Sequence, residues 1–194
     1  NKMKAIIVGG AAINKTILYE IEKLTVPVYA TYGMTETVSH IALKRLNGYD
    51  KSNYFRTIGD ISIKCDSRGC LIIRGSVTNN EEIITNDVVN IISNSEFELL
   101  GRFDNVINSA GVKLFPEQIE AKLSDKIKQR FFVIGIPDEK LGEQVLIVIE
   151  GKPTLFDDLI FENLAPYERP KTIRFVPKFI ETESGKVKRM ETLL

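Results

Sequence analysis

Ala5–Val8 is a short apolar run closed by Gly9-Gly10, the pattern of a central strand. Behind it Asn14 stands as an N-cap, with Ile17, Ile21 and Leu24 at helical spacing. Ile13 and Leu18 are placed for a hydrophobic staple across that cap. Val26–Ala30 reads as the next strand, so residues 4–31 spell strand–helix–strand, the unit of a parallel sheet. The pattern then changes. From about residue 55 to 100 come short β-rich runs, Ile58–Lys64, Cys70–Arg74, Glu82–Thr85, Val88–Ile92 and Phe97–Leu100, separated by turn residues as in all-β structure. After Gly101 it changes again. Pro116 opens a helix whose apolar face is Ile119 and Leu123. Phe131–Ile134, Val145–Ile149 and Thr172–Val176 read as strands, and Leu155–Leu164 as a helix. The expected fold class is α/β plus α+β: the end of a parallel-sheet α/β subdomain (about 1–48), a small β-subdomain (about 49–100) and a compact α+β C-terminal domain (101–194).

Charge narrows the function classes. Lys+Arg and Asp+Glu number 26 each in 194 residues, so the net charge is zero and no basic stripe is evident. A nucleic-acid binder would show one. The longest apolar runs, such as Val145–Ile149, are far too short to span a bilayer. No basic-then-apolar leader is seen, so a cytoplasmic location is expected. The two cysteines, Cys65 and Cys70, flank the turn Asp66-Ser67-Arg68-Gly69 and are expected as free thiols. With His40 the lone histidine, they supply no complete zinc site. Residue 1 is Asn and the first segment already reads as a buried strand, so the chain is expected to start inside a longer one. An exposed sheet edge left that way would favour association, and a homo-oligomer is allowed for.

Five short motifs carry candidate chemistry, each with a plain structural alternative. Tyr32-Gly33-Met34-Thr35-Glu36-Thr37 follows a strand, where parallel sheets bind ligands. Its glycine permits close backbone approach, and its hydroxyl and carboxylate suit a nucleotide and magnesium. The alternative is a strand–helix junction capped by Thr35. Gly9-Gly10-Ala11 leaves room for a flat ring, or simply makes a tight turn. Thr85-Asn86-Asp87 reads as a tight turn whose carboxylate either accepts ribose hydroxyls or bonds its own backbone. Gly101-Arg102-Phe103-Asp104, with Ser109-Ala110-Gly111 beyond, offers a planar cation and a hinge position, or an ordinary linker. Ser184-Gly185-Lys186-Val187-Lys188-Arg189 can deliver one positive charge to a developing anion, or is a solvated basic tail. It lacks the glycine spacing of a phosphate-binding loop.

In this order and spacing, and with Val133–Gly142, the motifs resemble the acyl-adenylate-forming superfamily along essentially the whole chain. That group holds acyl-CoA synthetases, peptide-synthetase adenylation domains and luciferases. Tyr32–His40 and the compact final domain look most like its 2-succinylbenzoate–CoA ligase branch. The resemblance implies that residues 1–100 are the C-terminal remnant of the large domain and 101–194 the mobile C-terminal domain. It implies that Gly9, Gly10 and Ala11 border adenine, that Tyr32, Gly33, Met34 and Thr35 wrap the adenylate, and that Glu36 serves Mg²⁺. Asp87 would bind the ribose with Arg102 beside it; Gly59-Asp60, similar on its face, belongs to the preceding β-motif by its place in the order. Asp104 would be the hinge, Lys186 the catalytic lysine, and Gly111 would face the nucleotide site in the thioester step. ATP, Mg²⁺, coenzyme A and a carboxylic acid are the implied ligands, and the superfamily's upstream phosphate loop the missing partner segment. Asn86 stands where the family has glycine, and its tolerance of left-handed geometry is expected to preserve the turn. Other acyl or aryl acids, a peptide-synthetase domain, and a non-catalytic nucleotide-binding or interaction module are the competing readings.

Overall fold

A computed structural model describes residues 3–9, 13, 15–183 and 185–194. Gly10, Ala11, Asn14 and Ser184 of the motifs above lie outside the described residues. The chain divides into two compact units, residues 1–103 and 104–194. Among the described residues no helix is long and apolar enough to cross a membrane.

In the first unit, β1 (Ile6–Val8) and β2 (Val28–Gly33) run parallel, joined through α1 (Lys15–Glu22). Leu18 and Ile13 pack with Ile21, Val28 and Leu46, which places the expected staple in a small core. Ile17 and Leu24 are exposed instead, so the helical face is narrower than its spacing suggested. The helix stops at Glu22, and Leu24 lies past its end. Buried Asn47 fastens that end. Its Oδ1 accepts from the Val28 N–H, and its Nδ2 donates to the Leu24 and Val26 carbonyls, each at 2.9 Å.

Six further strands follow: β3 (His40–Arg45), β4 (Phe55–Thr57), β5 (Ser62–Cys65), β6 (Cys70–Arg74), β7 (Ile83–Ser93) and β8 (Glu96–Arg102). They continue the same sheet in the order β1-β2-β3-β4-β8-β7-β6-β5. The strand–helix–strand segment and the all-β stretch thus share one mixed sheet over a core of Tyr32, Ile41, Phe55, Leu71, Ile73 and Phe97. The turn expected at Thr85-Asn86-Asp87 does not exist. These residues lie inside β7, and Asn86 is not among the left-handed residues. Thr85 and Asp87, two apart on one face, are both buried, and the strand passes unbroken because β6 and β8 pair with it on either side. The Asp66–Gly69 turn does close β5 onto β6, with Cys65 exposed and Cys70 buried. Asp60 spends its carboxylate on the Ser76 N–H and hydroxyl, each at 2.9 Å, which accounts for Gly59-Asp60 as a structural turn.

The second unit contains β9 (Ile107–Ser109), β10 (Val112–Leu114), α2 (Pro116–Leu123), β11 (Phe131–Asp138), β12 (Gly142–Glu150), β13 (Thr172–Val176) and α3 (Arg189–Leu193). Its sheet runs β10-β9-β12-β11, with β13 parallel to β12. Val145–Ile149 of β12 is buried on both faces, hence its unbroken apolar run. Ile119 and Leu123 of α2 seal one face; Phe132, Val148 and Phe179 fill the other. The helix expected over Leu155–Leu164 is not formed. Asp157 caps a single 3₁₀ turn at Asp158–Phe161 through the Leu159 N–H, and Leu155 is fully exposed. Phe161 and Leu164 still reach the core, so burial survives without the helix.

A polar cluster sits under α2. Glu120 accepts from the Val133 N–H at 2.8 Å and meets the Arg189 guanidinium at 2.9 Å. Burial pushes the Glu120 carboxyl up to about 7, against the pull of Arg189 and the Val133 amide and with a small push from Glu117. A raised folded-state pKa contributes stability that is full below the unfolded value and is lost as pH rises through about 7. The melting temperature, followed by far-UV circular dichroism, is therefore expected to fall between about pH 4.5 and 7 and to level off above that. Glu120→Gln should flatten that slope; an unchanged slope in the variant would refute the assignment.

Candidate functional site

The site begins where β2 ends. Gly33 closes β2 at a register shift, and its missing Cβ matters. A methyl there would lie 2.3 Å from the Ser39 carbonyl oxygen and 2.7 Å from the His40 Cα. Its smallness therefore serves the crossing of β2 and β3, where close approach to a ligand was expected. Thr35–Thr37 form one 3₁₀ turn after Met34, so Thr35 is the first residue of the turn and not its cap. Thr35 and Glu36 are exposed on it.

Buried Thr37 holds this loop. Its hydroxyl accepts from the Met34 N–H at 3.0 Å and lies within donating distance of the Met34 and Ser39 carbonyls, at 3.0 and 2.8 Å. Between Thr37 and Ser39, Val38 has φ +63° and ψ −42°, and the Ser39 N–H bonds back to the Thr37 carbonyl at 2.6 Å. That is a γ-turn of the strained hand, rare for a β-branched residue. Such a conformation costs about 1–3 kcal/mol and persists only where its surroundings impose it. The loop and strand ends line an open cleft of about 580 Å³, formed by Thr31, Gly33, Met34, Thr35, Val38, Ser39 and His40. The His40 ring meets the Ser39 hydroxyl at 3.1 Å. Gly9 lies alongside: a Cβ there would sit 2.4 Å from the Thr31 hydroxyl.

One residue back, Tyr32 turns inward. Its ring packs edge-on against Phe97, 5.2 Å between centroids, and near Phe55. Its hydroxyl donates to Asp87 Oδ2 at 2.6 Å. Asp87 Oδ1 accepts from Arg102 at 3.1 Å across the β7–β8 pairing. Burial, then the bond and charge of Asp87, push the Tyr32 hydroxyl upward, so it stays protonated as a donor. Three residues 70 positions apart in sequence at their extremes thus form one cluster. With one donor on each oxygen, the carboxylate retains lone pairs for further donors.

The remaining expected residues belong to the second unit. Asp104 is its first residue, in a 3₁₀ turn at the division between the units. Gly111 (φ +81°) follows Ala110 (φ +50°) in the two-residue turn joining β9 to β10. Two left-handed residues make this the turn type whose twist matches a hairpin, which is reason enough for glycine there. Lys186 is exposed on a tight loop whose ends are bridged at Glu181 and Val187. Sequence reasoning missed Thr37 and Val38. The only signal was their place inside and just after the Tyr32–Thr37 motif.

No family model matches the chain. It is 26% identical over 211 residues to a 2-succinylbenzoate–CoA ligase of Lactococcus lactis, a match covering 98% of this chain and 47% of that one. It is 39% identical to an acyl-CoA synthetase (AMP-forming)/AMP-acid ligase II-like protein of Dyadobacter fermentans, covering 97% of this chain and 57% of that one with a TM-score of 0.54. Along nearly its whole length the chain is similar to acyl-adenylate-forming enzymes. It resembles their C-terminal portion. The fold agrees with o-succinylbenzoate CoA synthetase of Bacillus subtilis in complex with its acyl-adenylate, at a TM-score of 0.78 and 21% identity over 97% of this chain and 46% of that one. The chain spans about half the length of the curated relatives it matches.

The cluster makes a prediction about stability. Tyr32→Phe removes the 2.6 Å donor from a buried carboxylate and is expected to cost about 1–3 kcal/mol in urea denaturation. Gly33→Ala should cost a similar amount, about 1–3 kcal/mol, by overpacking against the β3 backbone. A variant as stable as the wild type would show the contact in question to be dispensable.

Proposed function

We propose that this segment works within an ATP-dependent acid–CoA ligase that activates a carboxylic acid as its adenylate and passes the acyl group to coenzyme A. The observation that carries the reading is the joining of Tyr32, Asp87 and Arg102 in one cluster. A carboxylate held on a rigid strand, with lone pairs to spare, suits the two hydroxyls of a ribose. Gly9 and Tyr32 would flank the adenine, together with Gly10 and Ala11, and Met34 and Thr35 would border the adenylate. Arg102 would hold Asp87 in orientation while facing the same ligand.

Among the described residues no group of three or more histidine, cysteine or carboxylate side chains is gathered for a metal. Exposed Glu36 would be the protein ligand of a magnesium ion brought in on nucleotide phosphates. When bound, the ion would neutralise phosphate charge.

The chemistry runs in two halves. A carboxylate oxygen attacks the α-phosphorus of ATP, the α–β phosphoanhydride bond breaks, and pyrophosphate leaves. The coenzyme A thiol, giving up its proton, then attacks the acyl carbon and AMP departs with the bridging oxygen. The first half makes a poor acyl donor reactive. Lys186 would stabilise the charge developing in that half. The second unit would then turn about Asp104 and present the Gly111 hairpin in its place. The upstream phosphate loop of the superfamily would be needed in the same chain. 2-Succinylbenzoate, a precursor acid of menaquinone biosynthesis, is the proposed substrate, supported by the names of the curated relatives.

The test uses the complete gene product that carries this segment, with ATP, Mg²⁺, coenzyme A and a panel of 2-succinylbenzoate, aryl and fatty acids. Mass spectrometry should detect the 2-succinylbenzoyl thioester, and Lys186→Ala should lower the adenylation rate by roughly 10²–10³-fold. A thioester of another acid would keep the mechanism and discard the substrate. No adenylate with any acid would leave a non-catalytic nucleotide-binding module as the better reading.

A further inference from the structure

Lys186 rides on an exposed loop tip, with Val187 behind it packed against the Phe132–Val148–Phe179 cluster. Gly185 is left-handed with open space around it, and Lys186 is exposed. What fixes the ammonium in space is therefore the base of the loop. Backbone bonds pinch that base: Thr182 N–H to the Lys186 carbonyl at 2.8 Å and Lys188 N–H to the Ile180 carbonyl at 2.8 Å. The Thr182 hydroxyl receives the Lys186 N–H at 3.0 Å. These bonds shape the loop, and the attachments at its two ends aim it.

The entry side is held by buried Phe179, whose N–H donates to Glu150 at 2.8 Å, and by half-exposed Arg130, which pairs with Glu181 and Glu150 and lies over the Phe179 ring. Exposed pairs of this kind hold geometry weakly. The exit side is different. Arg189, three residues after Lys186, is largely buried. One terminal nitrogen donates to the Val133 carbonyl at 2.9 Å, on β11. The other meets both Glu120 oxygens, at 2.9 and 3.1 Å, on α2. The guanidinium also lies over the Phe132 ring, 5.8 Å from its centroid. Glu120 is itself held by the Val133 N–H. A planar fork satisfied on two elements and stacked on a ring has one orientation, and lysine could not copy it.

We propose that Arg189 is a positioning residue for Lys186: anchored to Glu120 and the Val133 carbonyl, it sets where the loop presents the ammonium and so supports the adenylation half-reaction alone. This rests on the reading of Lys186 given above. Misplacing a catalytic group by about 1 Å can cost on the order of 10²-fold, without any loss of fold.

The experiment uses the complete gene product and follows the two halves separately. Adenylation is read as pyrophosphate release with 2-succinylbenzoate and ATP, and thioester formation as coenzyme A consumption with supplied 2-succinylbenzoyl adenylate. Arg189→Met is expected to lower adenylation kcat by roughly 10–100-fold while thioester formation stays within about twofold. In a Lys186→Ala background the same change should cost nothing further, because a residue that acts through another adds no loss once that other is gone. Arg189→Lys should recover only part of the rate. Should Arg189→Met fail to fold by circular dichroism, Glu120→Gln removes the charge from the anchor while keeping its shape and carries the same comparison. Equal loss in both halves, or a further loss in the double variant, would overturn the proposal. A wild-type protein that adenylates no acid would instead sink the underlying reading, and the proposal with it.

Discussion

The first unit depends on one hydrogen bond, from Tyr32 to Asp87. Tyr32 is on β2 and Asp87 on β7, and the sheet order sets three strands between them. At about 4.8 Å per strand, a flat sheet would hold them roughly 19 Å apart. A 2.6 Å bond is possible only because the sheet curls over Phe55, Phe97 and their neighbours until its inner face closes on itself. Twist supplies part of this, and the register shifts in β7 supply more local bending. The aromatic core and the polar cluster are thus one construction. The core bends the sheet, and the bend brings the phenol to the carboxylate. Arg102, opposite Asp87 on β8, completes it without crossing any strand.

The cleft inherits its shape from the same region. Tyr32 fixes the end of β2, and Gly33 lets β3 start against it. The chain must therefore reverse within a few residues. Thr37 makes that reversal by bonding the backbone on both sides of itself, and the cost appears at Val38 as a left-handed, β-branched residue. Strain at this point is consistent with a loop whose form is imposed by what it must present. Glu36 and Thr35 reach solvent on the turn because Thr37 takes the inward position.

Periodicity told much of this in advance. The β6 and β13 runs and the Pro116 helix follow from local pattern, because their apolar residues fall at strand and helix spacing. The parallel pairing of β1 and β2 follows from the helix between them. Three features were illegible for a physical reason. Thr85-Asn86-Asp87 looked like a turn because polar residues rarely fill a buried strand. Distant Tyr32 and Arg102 satisfy Asp87 there, and Arg68 bonds the Asn86 side chain and the Thr85 carbonyl. Leu155–Leu164 looked helical because its apolar spacing is real, yet Asp157 diverts the backbone into one 3₁₀ turn and the apolar residues reach the core without a helix. Arg189 looked like the end of a solvated tail, since its partners Glu120 and Val133 lie far back in the chain. Motif order identified candidate residues but not the contacts that hold them.

The two units solve different mechanical problems with the same chemistry. In the first, the candidate ligand-binding groups Tyr32, Asp87 and Arg102 sit within strands, where pairing on both sides leaves little freedom. In the second, Gly111 and Lys186 sit on reversals between short bridged segments, each next to or at a left-handed glycine. A group that must hold one ligand through a whole reaction benefits from a strand. A group needed in only one half benefits from a projecting turn, which can be offered or withdrawn as a body without repacking a core. Such a turn is useful only if its base does not yield. On the proposed reading this explains why the loop bearing Lys186 ends in a partly buried, doubly bonded guanidinium while its tip is left to solvent. Firmness at the base and exposure at the tip are both required of a lysine that must arrive in one place and then leave it.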